Sequence, residues 1–507
     1  MTPAGDLHSV PGSALQSTAL GADSRPPASS PGSLINGLWN ALSSGVVALV
    51  GLLSSVIVVR TLSPHDYGVL SYYLWLAGLC ASLGMLAFAP SLTKVGAELL
   101  GAGQAQMSDR LAVWAGRVLG WLNLGIVVVL ALYGLLTGAN AAFLLIIAAV
   151  QLPTALASML SSRFWSHQNF RVVSLWNVLA ALVQMLLIGA VLGLHLGIPG
   201  FVFAVLSAGL TSWLGLAWQA RIFPRVAHGR LDPVVRRHYL SFLLPASLAL
   251  LFETVVWQRS ELYFINRLGD AVQVGHYSLA YTIFAIFLSI GWALVTSYFP
   301  SIASDHGAGQ RHRVQQKLQQ GATVAVLYAV PISGGVSITL ATLIRLLYGD
   351  KMLASVPIGQ MLLVSLVPSV LAGMFSLTIN AIGGIWFNVA LGLGVALLNV
   401  LLDLTLIPRL GAYGGAVATV IAQGLYLIGL LVLARTRFGL EVSWRDPLRI
   451  LVLGLIATLL VPALIVRALP GLPGLAVSVV VGAGLYALFI WKAGYLGLLR
   501  PAAGGPT

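Results

Sequence analysis

Cysteine is almost missing from this chain and charge is scarce: Cys80 stands alone among 507 residues, and only 8% of the sequence is Asp, Glu, Lys or Arg. A single thiol excludes an intrachain disulfide framework and a thiolate metal cluster. A water-soluble domain carries about a quarter charged residues. A chain so poor in charge and 58% hydrophobic cannot hide its apolar side chains from water in one soluble core. The two-residue alternation of membrane-barrel strands is missing too. So is any G-x-x-x-x-G-K loop followed by Ser or Thr, which removes the usual cradle for ATP phosphates. The nine histidines form no H-x-x-x-H pair on one helix, so a metal cofactor is not expected.

Long apolar runs are what the chain has. A hydrocarbon core about 30 Å thick takes roughly 20 apolar residues per helical crossing. The sequence predicts an all-α integral membrane protein of about fourteen transmembrane helices. The spans fall near 34–59, 67–92, 111–136, 140–162, 172–195, 199–222, 240–265, 272–300, 321–344, 354–381, 385–407, 413–434, 447–467 and 472–493. With the N-terminus inside, 20 of the 27 Lys and Arg residues fall on the inner side and six on the outer, leaving Arg259 within a span. That bias predicts cytoplasmic termini and accounts for the net charge of +13 without nucleic acid.

The spans group by a weak internal repeat. Shifting the chain by 207 residues lays Arg60, Gly68, Ser71 and Gly84 on Arg267, Gly275, Ser278 and Gly291. A shift of 214 lays Gly197, Gly200 and Ala204 on Gly411, Gly414 and Ala418. Six spans per copy is an even number, so the copies run parallel. The expected architecture is two six-helix lobes around a central cavity plus a C-terminal helix pair. Its parts are a disordered cytoplasmic tail (1–33), an N-lobe (34–222), a basic cytoplasmic linker (223–239), a C-lobe (240–435), a last pair (436–495) and a short cytoplasmic tail (496–507).

Three stretches carry a family resemblance in order and spacing: N-x-x-W-N (Asn36, Trp39, Asn40) leading to V-V-R-T-L-S-P-H-D-Y-G-V-L-S-Y (Val58 to Tyr72); Q-R-S-E-L-Y-F-I (Gln258 to Ile265) leading to V-G-H-Y-S-L-A (Val274 to Ala280); and L-I-P-R-L-G-A-Y-G-G-A-V-A-T (Leu406 to Thr419). From 34 to about 435 the chain resembles bacterial polysaccharide flippases, which carry O-antigen or exopolysaccharide units and belong to the multidrug, oligosaccharidyl-lipid and polysaccharide exporter superfamily. The resemblance implies a transporter rather than an enzyme. It would move an undecaprenyl-pyrophosphate-linked oligosaccharide from the cytoplasmic to the periplasmic leaflet by alternating access, driven by a gradient of H+ or Na+. Membrane lipids, and a polysaccharide polymerase with other assembly proteins, would be its partners.

A charged side chain within a span costs roughly 2.5–3.5 kcal/mol on insertion scales, which marks each one as a candidate. Glu253, Arg259 and Glu261 share the seventh span and Asp403 lies on the eleventh. On a continuous helix, at about 100° per residue, Arg259 points about 160° from Glu261 and about 120° from Glu253. Its partner is then a lipid phosphate, for which a guanidinium fork is suited, or a group on another helix. Glu253 and Asp403 are candidates for ion coupling, or else hydrogen-bonded acids that fix packing. Glu261 is read as a gate or lobe contact. Arg60 and Arg267 end the first and seventh spans as interfacial anchors, phosphate clamps or inter-lobe contacts. Asn36 and Asn40, one turn apart, mark an entrance or simply a polar helix start. His276 is expected at the interface.

Three other readings remain. A drug exporter of this fold would want acids inside the first lobe, which has none in a span. A cell-wall-precursor flippase differs only in cargo. A polysaccharide polymerase or ligase would want a large outer loop, and the outer connections here are short.

Overall fold

The computed structural model describes residues 31–137, 141–167, 169–220, 231–252, 260–469 and 472–495. Among these the chain is helical, without a strand. In chain order the helices are α1 (Pro31–Thr61), α2 (Pro64–Met85), α3 (Phe88–Gly101), α4 (Ala105–Thr137), α5 (Ala141–Ser166), α6 (Phe170–Gly193), α7 (Gly197–Ala220), α8 (Pro233–Phe252) and α9 (Glu261–Leu268). There follow α10 (Ala271–Thr296), α11 (Phe299–Gly307), α12 (Arg311–Tyr348), α13 (Ser355–Ala381), α14 (Ile385–Leu410), α15 (Ala412–Phe438), α16 (Arg445–Leu455), α17 (Val461–Ala468) and α18 (Leu472–Lys492). A single π turn, Ile456–Leu460, joins α16 to α17.

Twelve stretches of described helix are long and apolar enough to cross a membrane. The expected count of fourteen is therefore not confirmed. The two remaining expected spans fall on α5 and on α8 with α9. Residues 253–259, between those last two helices, lie outside the described residues. Most crossing stretches bury a third or less of their residues inside the protein, whereas that of α13 is 78% buried. Leucines exposed on α4, such as Leu135 and Leu136, therefore face the surroundings while α13 forms the axis of the second half. This distribution fits a lipid solvent, in which apolar groups gain nothing by being inside.

Helix starts follow local chemistry. Ser63 caps α2 by accepting from the Asp66 amide at 3.1 Å, with Pro64 at the first helical position. Asp270 caps α10 in the same way, accepting from the Gln273 amide at 2.8 Å. These caps are equivalent under the 207-residue shift. Asp232 accepts from the Val234 amide at 2.8 Å, so α8 begins at Pro233, inside the stretch read from sequence as linker.

The second pair of repeat matches has a backbone cause. Gly197 and Gly411, equivalent under the 214-residue shift, both hold positive φ, at 65° and 60°. Side-chain-bearing residues rarely adopt that conformation, so the turns entering α7 and α15 both require glycine.

Helix α8 packs on the first half of the chain. The Tyr239 hydroxyl donates to the Phe88 carbonyl at 3.1 Å, and Lys94 sits 4.0 Å above the Phe242 ring. Helix α9 packs mainly on α10 and α14, with smaller contacts to α2 and α15.

Candidate functional site

Two carboxylic acids are buried side by side in the second lobe. Glu261 is the first residue of α9 and only 6% exposed; Asp403, on α14, is fully buried. Asn399 lies four residues before Asp403, which places both on one face of α14. The Asn399 amide donates toward Glu261 Oε1 at 3.3 Å and lies 3.4 Å from Asp403 Oδ2. The Thr419 hydroxyl of α15 lies 3.1 Å from the same Glu261 oxygen. Tyr277, of α10, is buried beside them.

What these groups lack is as informative as what they hold. Glu261 Oε2, Asp403 Oδ1 and Asn399 Oδ1 are buried without a hydrogen-bond partner among the described residues. Among the described residues neither acid makes an ion pair. An unsatisfied buried polar group costs about 1–3 kcal/mol, and a charged one more. Partnerless oxygens of both acids thus lie about the Asn399 side chain. Two acids with neutral amide and hydroxyl oxygens form a hard-oxygen ligand set. Among the described residues no three His, Cys, Asp or Glu side chains cluster as for a metal ion.

Among the described residues the first lobe has no such pair. Its buried amides on α4 and α5 serve carbonyls: Asn123 donates to Gly84 at 3.0 Å and Gln151 to Cys80 at 2.7 Å. Gln151 also donates to Asn123 Oδ1 at 3.1 Å, closing the network.

A second feature lies where the lobes meet. A Cβ on Gly68 of α2 would fall onto the carbonyl oxygen of Ala271, and a Cβ on Gly275 of α10 would lie 2.5 Å from the carbonyl oxygen of Pro64. Gly68 and Gly275 are repeat equivalents, as are Pro64 and Ala271, so this contact has two-fold symmetry. Beside it, Arg60 Nε donates to the Leu347 carbonyl at 2.8 Å and a guanidinium Nη to that of Leu346. Lys351 Nζ returns to the carbonyl of Arg60 at 2.8 Å and to that of Leu62. Each cation thus covers the carbonyl end of the other lobe's helix, where the helix dipole is negative. Burial holds the Lys351 ammonium below the usual lysine range.

A cavity of about 520 Å³ runs inside the second lobe, between α10, α13, α14 and α15. Glu261, Asn399 and Thr419 form one part of its wall; Asn380, Asn388 and Tyr426 form another. The latter are tied together: Asn388 donates to Ser376 at 2.8 Å and Asn380 at 3.0 Å, and accepts from Tyr426 at 2.7 Å.

The residues singled out from sequence are thus distributed unevenly. Asp403 and Glu261 come together. Glu261, read as a gate or lobe contact, is buried where α9 packs on α14 and α15. Arg60 makes an inter-lobe contact, whereas Arg267 is exposed and makes no hydrogen bond or ion pair among the described residues. Glu253 and Arg259 lie outside the described residues. Asn36 and Asn40 fall in the first turns of α1, and their side chains lie outside the description. His276, expected at the interface, is buried against Ser355 Oγ at 3.1 Å. Sequence reasoning weighed charge alone and missed Asn399, Thr419 and Tyr277. The four-residue spacing of Asn399 and Asp403 in an otherwise apolar helix was the available signal.

Comparison with known proteins gives a consistent picture. Residues 33–306 match the family described as polysaccharide biosynthesis protein, and residues 264–482 match that described as lipid II flippase MurJ. A probable flippase, AglR of Haloferax volcanii, is 26% identical over 277 residues, covering 50% of this chain and 52% of that protein. A probable multidrug resistance protein, NorM of Bradyrhizobium diazoefficiens, is 27% identical over 208 residues, covering 37% of this chain and 40% of that one. The chain thus spans about half or less of the length of these curated relatives. Among solved structures, the lipid II flippase MurJ in an inward closed conformation superposes with a TM-score of 0.74 at 14% identity, over 91% of this chain and 100% of that one. An inward-facing multidrug transporter of the MATE family gives 0.63 at 15% identity, over 78% and 94%. At these identities the likeness is one of fold.

Proposed function

Because this multi-pass membrane chain belongs to the polysaccharide biosynthesis protein family, matched over residues 33–306, we propose that it moves a lipid-linked oligosaccharide across the membrane, coupled to the binding of Na+. The observation that carries the coupling is the buried acid pair, Glu261 and Asp403, without an ion-pair partner among the described residues, in a molecule whose lobes meet at a symmetric contact.

In this reading the contact at Arg60 and Lys351 is the outer gate, shut here. Na+ takes its oxygens from Glu261, Asp403, Asn399 and Thr419 and neutralises two acids that repel one another in a low-dielectric setting. Neutralisation changes how α9 packs on α14 and α15, and hence the stance of the second lobe against the first. Arg259 serves the pyrophosphate of an undecaprenyl carrier, and Glu253 lies on the same route. Transfer runs from the cytoplasmic to the periplasmic leaflet of a bacterial inner membrane, with both termini cytoplasmic, and delivers units to a polysaccharide polymerase. The protein makes and breaks no bond in its cargo.

The test is delivery of lipid-linked oligosaccharide to the outer leaflet, in cells with and without the protein and in vesicles with an imposed Na+ gradient. Inner-leaflet accumulation without the protein, and acceleration by inward Na+, are expected. Unchanged delivery in cells lacking both this protein and any paralogue would overturn the assignment. Acceleration of a cationic drug instead would move the chain to drug export.

A further inference from the structure

The acid pair is buried, yet an ion that couples transport must come and go. We infer that the cavity inside the second lobe is the cation's own access passage, separate from the cleft between the lobes through which a lipid-linked cargo would move. This rests on the reading of Glu261 and Asp403 as a cation site.

The shape of the cavity supports a conduit over a cargo pocket. Its wall on α14 runs from Asn399, at the acid pair, to Ile385. Fourteen residues of helix cover roughly 21 Å. A volume of about 520 Å³ drawn out over that length leaves a passage for water and a hydrated monovalent cation.

Its lining agrees. Among the described residues Glu261 is the single charged side chain on the wall, and it stands at the inner end. Neutral polar groups recur along the way, Ser369 and Ser376 among them, down to the tied amides of Asn380 and Asn388. The Ser369 hydroxyl is buried without a protein partner although it borders this space, as expected where water supplies the missing bond. Among the described residues no cationic side chain lines the cavity.

The passage also has a direction. Helix α13 leaves the end of the molecule bearing Lys351 and reaches Asn380 after roughly 40 Å. Trp292, Phe299 and Ile385, at that far end, are 41%, 42% and 46% exposed, whereas Asp403 is fully buried. The mouth therefore lies opposite the shut contact of Arg60 and Lys351. In this conformation the cation site opens toward the side away from the closed gate, and it does so through the body of one lobe.

Single cysteines placed on the wall test this, with Cys80 changed to Ser. Ser376→Cys or Gln423→Cys is reacted with a bulky methanethiosulfonate in the purified full chain, and 22Na+ uptake and release are timed alongside equilibrium binding. Blocking should slow uptake and release by the same factor, at least tenfold, with the dissociation constant unchanged. If Ser376→Cys does not fold, Gln423→Cys is scored alone. Unaltered rates after complete labelling, or a change in affinity carried by one rate only, would overturn the passage. So would slowed oligosaccharide transfer with unaltered 22Na+ rates, which would give the cavity to the cargo. Absence of Na+ binding in the unmodified protein would instead refute the cation site itself, before any label is added.

Discussion

Replacing Gly68 by alanine should hold the lobes apart. The new methyl would overlap the Ala271 carbonyl oxygen, and contacts under 3.0 Å are essentially never seen for real Cβ atoms, so α2 and α10 must separate by roughly 1 Å or more. Backbone forms both sides of the contact, so no side chain can swing away to make room. The same displacement stretches the four bonds that Arg60 and Lys351 make to carbonyls across the interface. Such bonds are worth about 1.5–3 kcal/mol when buried. Exposure to solvent reduces each to about 0.5 kcal/mol, or about 2 kcal/mol together. Overpacking adds at least about 1 kcal/mol. A total near 3 kcal/mol moves the ratio of closed to open by about two orders of magnitude. Spin labels at His65→Cys and Leu268→Cys, in a Cys80→Ser background, report the separation by pulsed electron resonance. A long-distance population should dominate in Gly68→Ala, and oligosaccharide transfer should fall at least tenfold. Gly78→Ala is the control, since nothing lies within 4 Å of a Cβ there. A distance distribution like that of the parent, with normal transfer, would refute the steric argument.

Three further outcomes follow from the same geometry. Asp403→Asn and Glu261→Gln should each weaken 22Na+ binding at least tenfold while the protein still inserts and folds, because each removes a buried anionic ligand; unchanged Na+ affinity would reduce the pair to packing. Desolvation lowers the Lys351 proton affinity in the closed state, so the closed state binds that proton less tightly than the open one and is favoured as pH rises through the lysine range; spin-label distances that lengthen between about pH 8 and the ordinary lysine value of 10.5 would contradict this. Arg259→Ala should abolish oligosaccharide transfer with normal membrane insertion, and normal transfer in that variant would remove Arg259 from the cargo route.

Much of the architecture can be read without coordinates because it follows from local and periodic properties. The lengths of apolar runs set helix lengths, and small residues repeated at a fixed shift mark equivalent helix ends. The matched glycines prove to have definite work: Gly68 and Gly275 permit backbone contact at the lobe interface, and Gly197 and Gly411 permit a left-handed turn. Helix count is less legible: twelve stretches among the described residues are long and apolar enough to cross, and the two other expected spans fall on α5 and on α8 with α9. The candidate site is legible only in part. Charge inside an apolar run singles out Asp403 and Glu261, but not their relation to each other.

By itself, the sequence determined that this chain is a helical membrane protein built from two related halves, because burial in lipid demands long apolar helices and a repeated fold repeats its turns. The tertiary structure decided that Glu261 and Asp403, far apart along the chain, share one amide and make no ion pair among the described residues. It also decided that Arg60 and Lys351 each reach the carbonyl end of the opposite lobe's helix. Those relations depend on how α9, α14 and α15 pack and on how closely two glycines let backbones approach, and no property of one helix taken alone specifies them.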